Sequence, residues 1–147
     1  MIPERIPIQR MEDYHTHFLG KTEDGRQFFG YETFVFPGGI PASDWKKHRR
    51  EYVVLYIFDS DGNHLVTNHW YAGTTSETNE SVMRERLEQM IRELGKTEFC
   101  DINVKPFKTV IDGIVFGLIV DDENETVNLQ PSSTISFQEP WDGEYYT

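Results

Sequence analysis

The sequence predicts an α+β fold: a single, mainly antiparallel β-sheet built from hairpins, with one amphipathic helix over about 80–94 packed on one face. Three observations lead there. The stretch Tyr52-Val-Val-Leu-Tyr-Ile-Phe58, Asp59-Ser-Asp-Gly-Asn63, His64-Leu-Val-Thr-Asn-His-Trp-Tyr71 sets two runs of β-branched and aromatic residues around a cluster of turn formers, the pattern of a β-hairpin. Met83, Leu87, Met90, Ile91 and Leu94 recur at the 3.6 period of an amphipathic helix. Asp112-Gly113 joins two further apolar runs as a two-residue hairpin loop.

The first run of the central hairpin is apolar on both alternating faces, with Tyr52, Val54, Tyr56 and Phe58 on one and Val53, Leu55 and Ile57 on the other. A strand of that kind needs cover on both sides, which places it in the middle of a sheet under the Met83–Leu94 stripe. Ahead of it, residues 1–13 carry two prolines and read as an extended arm along a sheet edge. His15 to Leu19 reads as a short strand, and Lys21-Thr-Glu-Asp-Gly25 as the turn into Arg26–Phe36. On that second strand Phe28, Phe34 and Phe36 share one face, while Phe29, Tyr31 and Val35 share the other. Pro37-Gly-Gly-Ile-Pro41 stops it, and Ala42–Arg50 reads as a loop with one helical turn capped by Ser43 or Asp44.

After Gly73 a polar segment rich in cap formers precedes the helix, and Gly95 is placed to end it. Phe99 to Ile111 is strand-like except at Pro106, where an edge or a bulge is expected. Ile114–Val120 completes that hairpin. Val127–Gln130 and Thr134–Phe137 are weaker strands, and Glu139–Thr147 carries aromatics that should pack back on the body. The order ββ-ββ-α-ββ(ββ) shows no repeat and no boundary, so one domain over residues 1–147 is expected.

The formal net charge is -11, and it is uneven. Residues 1–70 hold eight Lys/Arg against ten Asp/Glu, whereas residues 71–147 hold six against fifteen. Such a surface repels nucleic-acid phosphate and anionic lipid, so the expected partner is another protein, with no nucleic acid and no membrane. A single cysteine, Cys100, rules out an intrachain disulfide scaffold. With neither a signal-peptide pattern nor a membrane-length apolar run, a cytoplasmic location is expected.

His15-Thr-His17 is the best metal candidate, because residues two apart on a strand project to one face. The pair fails the pattern of a cupin: Glu23 comes too late and the preceding glycine is missing. His64 and His69, at odd spacing, are expected on opposite faces of their strand. Asp59-Ser-Asp-Gly-Asn63 resembles the opening of a calcium loop but has Trp70 where the bidentate Glu belongs, so a turn is preferred. Trp45-Lys-Lys-His-Arg-Arg50 is the one basic run, read first as a solvated loop and second as a dock for an acidic partner or an RNA strand. Cys100 has no neighbouring His and reads as a small hydrophobe. No G-x-S-x-G, P-loop, dinucleotide fingerprint or H-E-x-x-H occurs, and no cofactor is expected.

Several segments together resemble a group of small bacterial proteins. They are Ile2-Pro3 with Ile6-Pro7-Ile8, Phe58-Asp59 with Gly62, Ala72-Gly73-Thr74, Glu98-Phe-Cys-Asp-Ile102, Gly113-Ile-Val-Phe-Gly-Leu-Ile119 and Pro140-Trp-Asp-Gly143 with Tyr145 and Thr147. That group carries the label of formate hydrogenlyase regulatory protein HycA. The resemblance implies a cytosolic bacterial protein and brings no catalytic or binding residues.

The functional expectation is a non-catalytic protein-interaction module, a regulator or an immunity-type binder, using Trp70, Tyr71, Trp141, Asp142 and Tyr145 beside the acidic half of the chain. The alternative is a small-molecule or metal-binding domain, enzymatic or not, near His15 and His17 or between helix and sheet. A homo-oligomer through a strand edge is a third reading.

Overall fold

The computed structural model describes residues 1–12, 15–131 and 135–147. Its strands are β1 (Ile6–Ile8), β2 (Phe18–Thr22), β3 (Gln27–Val35), β4 (Arg50–Phe58), β5 (His64–Thr74), β6 (Thr97–Phe99), β7 (Ile102–Val104), β8 (Phe107–Ile111), β9 (Ile114–Asp121), β10 (Thr126–Gln130) and β11 (Ser136–Phe137). The helix α1 (Glu80–Arg92) follows β5, and a 3₁₀ turn over Trp45–Lys47 precedes β4. The α+β class holds, but the single sheet does not. Every pairing is antiparallel, and the described strands form three sheets: β5-β4-β3-β2-β6, β11-β10-β9-β8 and the pair β1-β7.

The cause of the difference lies in residues 97–111. Instead of one strand they break into β6, β7 and β8, and each joins a different sheet. Cys100-Asp101 and Lys105-Pro106 are the breaks, and Pro106 falls where no ladder donor is needed. The amino-terminal arm lies along β7, pairing Ile6 with Val104 and Ile8 with Ile102.

β4 is the wall between two cores. Tyr52, Val54, Tyr56 and Phe58 pack with Phe116, Leu118, Val127 and Phe137 of the four-stranded sheet. Val53, Leu55 and Ile57 pack with Met83, Leu87 and Ile91 of α1. The two-sided apolar pattern of this strand therefore corresponds to cover on both faces. Two buried hydroxyls tie the layers together: Tyr31 donates to the Gln130 carbonyl at 3.1 Å and stands 2.9 Å from the Tyr56 hydroxyl. Thr33 Oγ1 donates to the Pro131 carbonyl at 3.2 Å. Burial pushes both tyrosines far above the usual phenol range, so they act only as neutral hydrogen-bonding groups.

The ends of the elements follow local chemistry. Asn79 Oδ1 accepts from the Val82 amide at 3.0 Å, capping α1, and Gly95 at φ 88 stands beyond its last turn. Asp112 at φ 52 and Gly113 at φ 77 make the two-residue loop between β8 and β9. Asp59 accepts from the amides of Asp61 and Asn63 at 2.9 and 2.8 Å, which is the turn reading of that cluster. At the 3₁₀ turn the helical loop is present, but Asp44 occupies the cap position at φ 55 without a side-chain cap bond. Among the described residues, no helix is long and apolar enough to cross a membrane.

Candidate functional site

The histidine pair sits in a turn and not on a strand. His15 and Thr16 belong to the turn before β2, which begins at Phe18, so the same-face geometry of a strand does not govern them. Even so, both imidazoles line one surface groove of about 290 Å³ with Phe18, Gly30, Tyr31, Glu32, Arg84 and Leu87, between α1 and the sheet. His17 donates from Nδ1 to the Glu12 carbonyl. Glu32 is taken by Arg84, whose Nε lies 2.9 Å from Oε2. Among the described residues, no three His, Cys, Asp or Glu side chains gather as a metal site. Asp13, next to the pair in sequence, lies outside the described residues.

The aromatic surface patch divides. Trp70 packs against the helix-side core and lies under the Arg86 guanidinium at 4.6 Å. Trp141 and Tyr145 pack against the other core, and the Trp141 indole nitrogen is buried with no hydrogen-bond partner among the described residues. Asp142 is exposed beside them. Tyr71 alone of the four aromatics is open to solvent, at 43%. The chain folds its carboxy-terminal aromatics inward because Gly143 accepts from the Gln9 amide at 2.8 Å and Tyr146 bridges Ser136.

Tyr71 lies on β5, the outermost strand of the five-stranded sheet. β5 is eleven residues long and pairs with β4 along one edge; its other edge pairs with no described strand. Leu65 and Val66 are exposed with Tyr71. None of residues 64–74 is Asp, Glu, Lys, Arg or Pro, so the charge and proline that ordinarily blunt an edge are missing from it. A register shift changes its faces. Ile57 opposes Val66 but Phe58 opposes His64, so Leu65 is an extra, bulged residue. His64 and His69 consequently share the face of Phe58 and Val54, contrary to the odd-spacing expectation. His64 stacks on Phe107 with centroids 4.3 Å apart, and its Nε2 meets Thr67 Oγ1 at 2.8 Å.

Beside the Tyr71 end of that edge stands the basic loop. Its exit is clamped: Arg49 lies 2.8 Å from Glu51 Oε1, which also accepts from Thr75 Oγ1 at 2.8 Å. The Arg49 guanidinium rests 4.0 Å over the Phe34 ring and 5.1 Å from that of Trp45. A cleft of about 410 Å³ opens between this loop and β5, lined by Pro37, Gly38, Gly39, Pro41, Lys47, His48, Arg50, Tyr71 and Thr74. Tyr52, whose ring lies 5.3 Å from that of Tyr71, donates to Asp112 at 2.8 Å; burial and the Asp112 carboxylate push its phenol up to about 12.

Sequence reasoning had the basic run but not its partners, because the cleft joins residues 37–50 to residues 71–74 across a sheet edge. The Glu32–Arg84 pair in the histidine groove was missed altogether; a carboxylate on a mostly apolar strand was its only sequence signal. Cys100 is half-buried, and burial pushes its thiol up, away from nucleophile chemistry. Compared with protein-family models, curated proteins and solved structures, the chain matches none of them.

Proposed function

We propose that the protein is a non-catalytic interaction module, of regulatory or immunity type, that accepts an extended segment of a protein partner on the outer edge of β5. The observation that carries this reading is the edge itself: eleven residues, unpaired on one side among the described strands, with no charge and no proline. Backbone donors and acceptors along such an edge pair with an added strand, and side chains on both faces choose the partner. Val66, Asn68 and Trp70 face the helix side, while Thr67, His69 and Tyr71 face the other. The favoured segment is therefore neutral, extended and rich in β-branched and aromatic residues. The acidic second half repels acidic competitors.

A displayed library of random decapeptides, about ten residues long to match the edge, tests it. Selected peptides should be extended and uncharged at their centres, and binding should slow amide exchange at residues 65–71. Val66→Lys with His69→Lys, both at exposed positions, should abolish binding without lowering the melting temperature. Peptides that bind the double variant equally well, or that protect another strand, would refute edge addition.

A further inference from the structure

We infer that the cleft between the basic loop and β5 is a binding site for a phosphate monoester carried on a small flat body. Five surface clefts are described, and four include a carboxylate residue in their lining: Glu32, Asp101, Glu88, or Glu23 with Asp24. The cleft of Lys47, His48, Arg50 and Tyr71 includes none, although the chain carries 25 Asp and Glu. Cations that merely offset an acidic body would stand beside its carboxylates. Arg50 does so through the Tyr52 hydroxyl, which donates to Asp112, but among the described residues neither Lys47 nor His48 forms an ion pair.

The lining specifies the ligand further. Lys47 supplies a point charge and Arg50 a planar fork, with the His48 ring beside them, so the site offers two fixed positive charges and an imidazole. That count fits a dianion better than a single carboxylate. Pro37, Pro41 and the exposed ring of Tyr71 supply apolar walls, and the volume of about 410 Å³ is within the range of small-ligand sites. The loop is held at its root by the Arg49–Glu51 pair. The backbone that carries these cations is thus anchored before the ligand arrives. The inference is independent of edge addition, since a small monoester needs no added strand.

A phosphorylated side chain and a free phosphorylated metabolite present the same group, so the titration uses phenyl phosphate, ribose 5-phosphate, a short phosphotyrosine peptide, inorganic phosphate and benzoate. Calorimetry on the intact protein should show saturable binding of at least one monoester at or below about millimolar concentration, weakening as salt is raised. Lys47→Ala and Arg50→Ala should each weaken it by about tenfold or more, while Lys96→Ala, in another cleft, should leave it unchanged. Tyr71→Leu should remove the advantage of phenyl phosphate over inorganic phosphate. Preference for the aromatic arms supports a protein-borne source, and preference for ribose 5-phosphate a metabolite. Benzoate binding as tightly as phenyl phosphate, equal loss in Lys96→Ala, or no saturable heat from any monoester with a folded protein would overturn the proposal.

Discussion

At position 30 a Cβ would stand 2.7 Å from Leu87 Cδ1 and 3.3 Å from Leu55 Cδ1. Glycine there lets α1 settle onto β3 and β4, with Leu87 fully buried at the contact. Gly30→Val should cost about 1–3 kcal/mol through overpacking, and Leu87→Ala about 2–5 kcal/mol through the opposite defect, a cavity. Urea unfolding checks both. His64 supplies a pH test. Burial holds its imidazole below its ordinary value of 6.5, so the unfolded chain binds the proton more readily than the folded one. Stability from this group is therefore full above pH 6.5 and is lost as pH falls through the folded value. His64→Phe, which keeps a ring against Phe107, should flatten that part of the acid side of a urea-midpoint profile; an unchanged profile would refute the assignment.

Among the elements, α1 and the hairpins follow from residues near in sequence. Asn79 caps the helix with its own side chain, and Asn79→Ala should cost about 1 kcal/mol, read as a lowered unfolding midpoint. The stripe Met83, Leu87 and Ile91 is legible because its period is intrinsic to the helix. The Asp112-Gly113 loop is legible because few residues tolerate positive φ. Two features were not legible. The bulge at Leu65 turns His64 onto the face of His69, and nothing local marks it, since Leu is an ordinary strand residue. The division of residues 97–111 among three sheets depends on where β1, β2 and β9 wait to receive them. Partners distant in sequence decide both.

For the molecule as a whole, the same limit explains why a single sheet was expected and layers were found. An apolar strand face shows that cover exists but not whether a helix or a second sheet provides it. The alternation Phe29, Tyr31, Val35 looks alike in either case, yet these side chains meet the second sheet. The candidate sites suffered most, because the cleft beside Tyr71 and the groove around His15 and His17 each gather residues from separate elements. Layering also sets dynamics. Amides of β4 should be the slowest to exchange, at rates set by global unfolding, and those of the outer edge of β5 among the fastest strand amides. Mass spectrometry after deuterium labelling checks the order.

The wall formed by β4 also bears on how the gene tolerates change. A strand with one wet face would show a comb of permissive and restricted codons. Glu51 through Phe58 are all buried, the carboxylate of Glu51 being held by Arg49 and Thr75. Saturation mutagenesis scored by folded yield should therefore return an unbroken block of intolerance across these eight positions, with neutral drift confined to the flanking loop and the neighbouring edge strand. Variation among natural descendants of this chain should collect at the edge and the cleft, where new partners can be acquired while the wall is left alone.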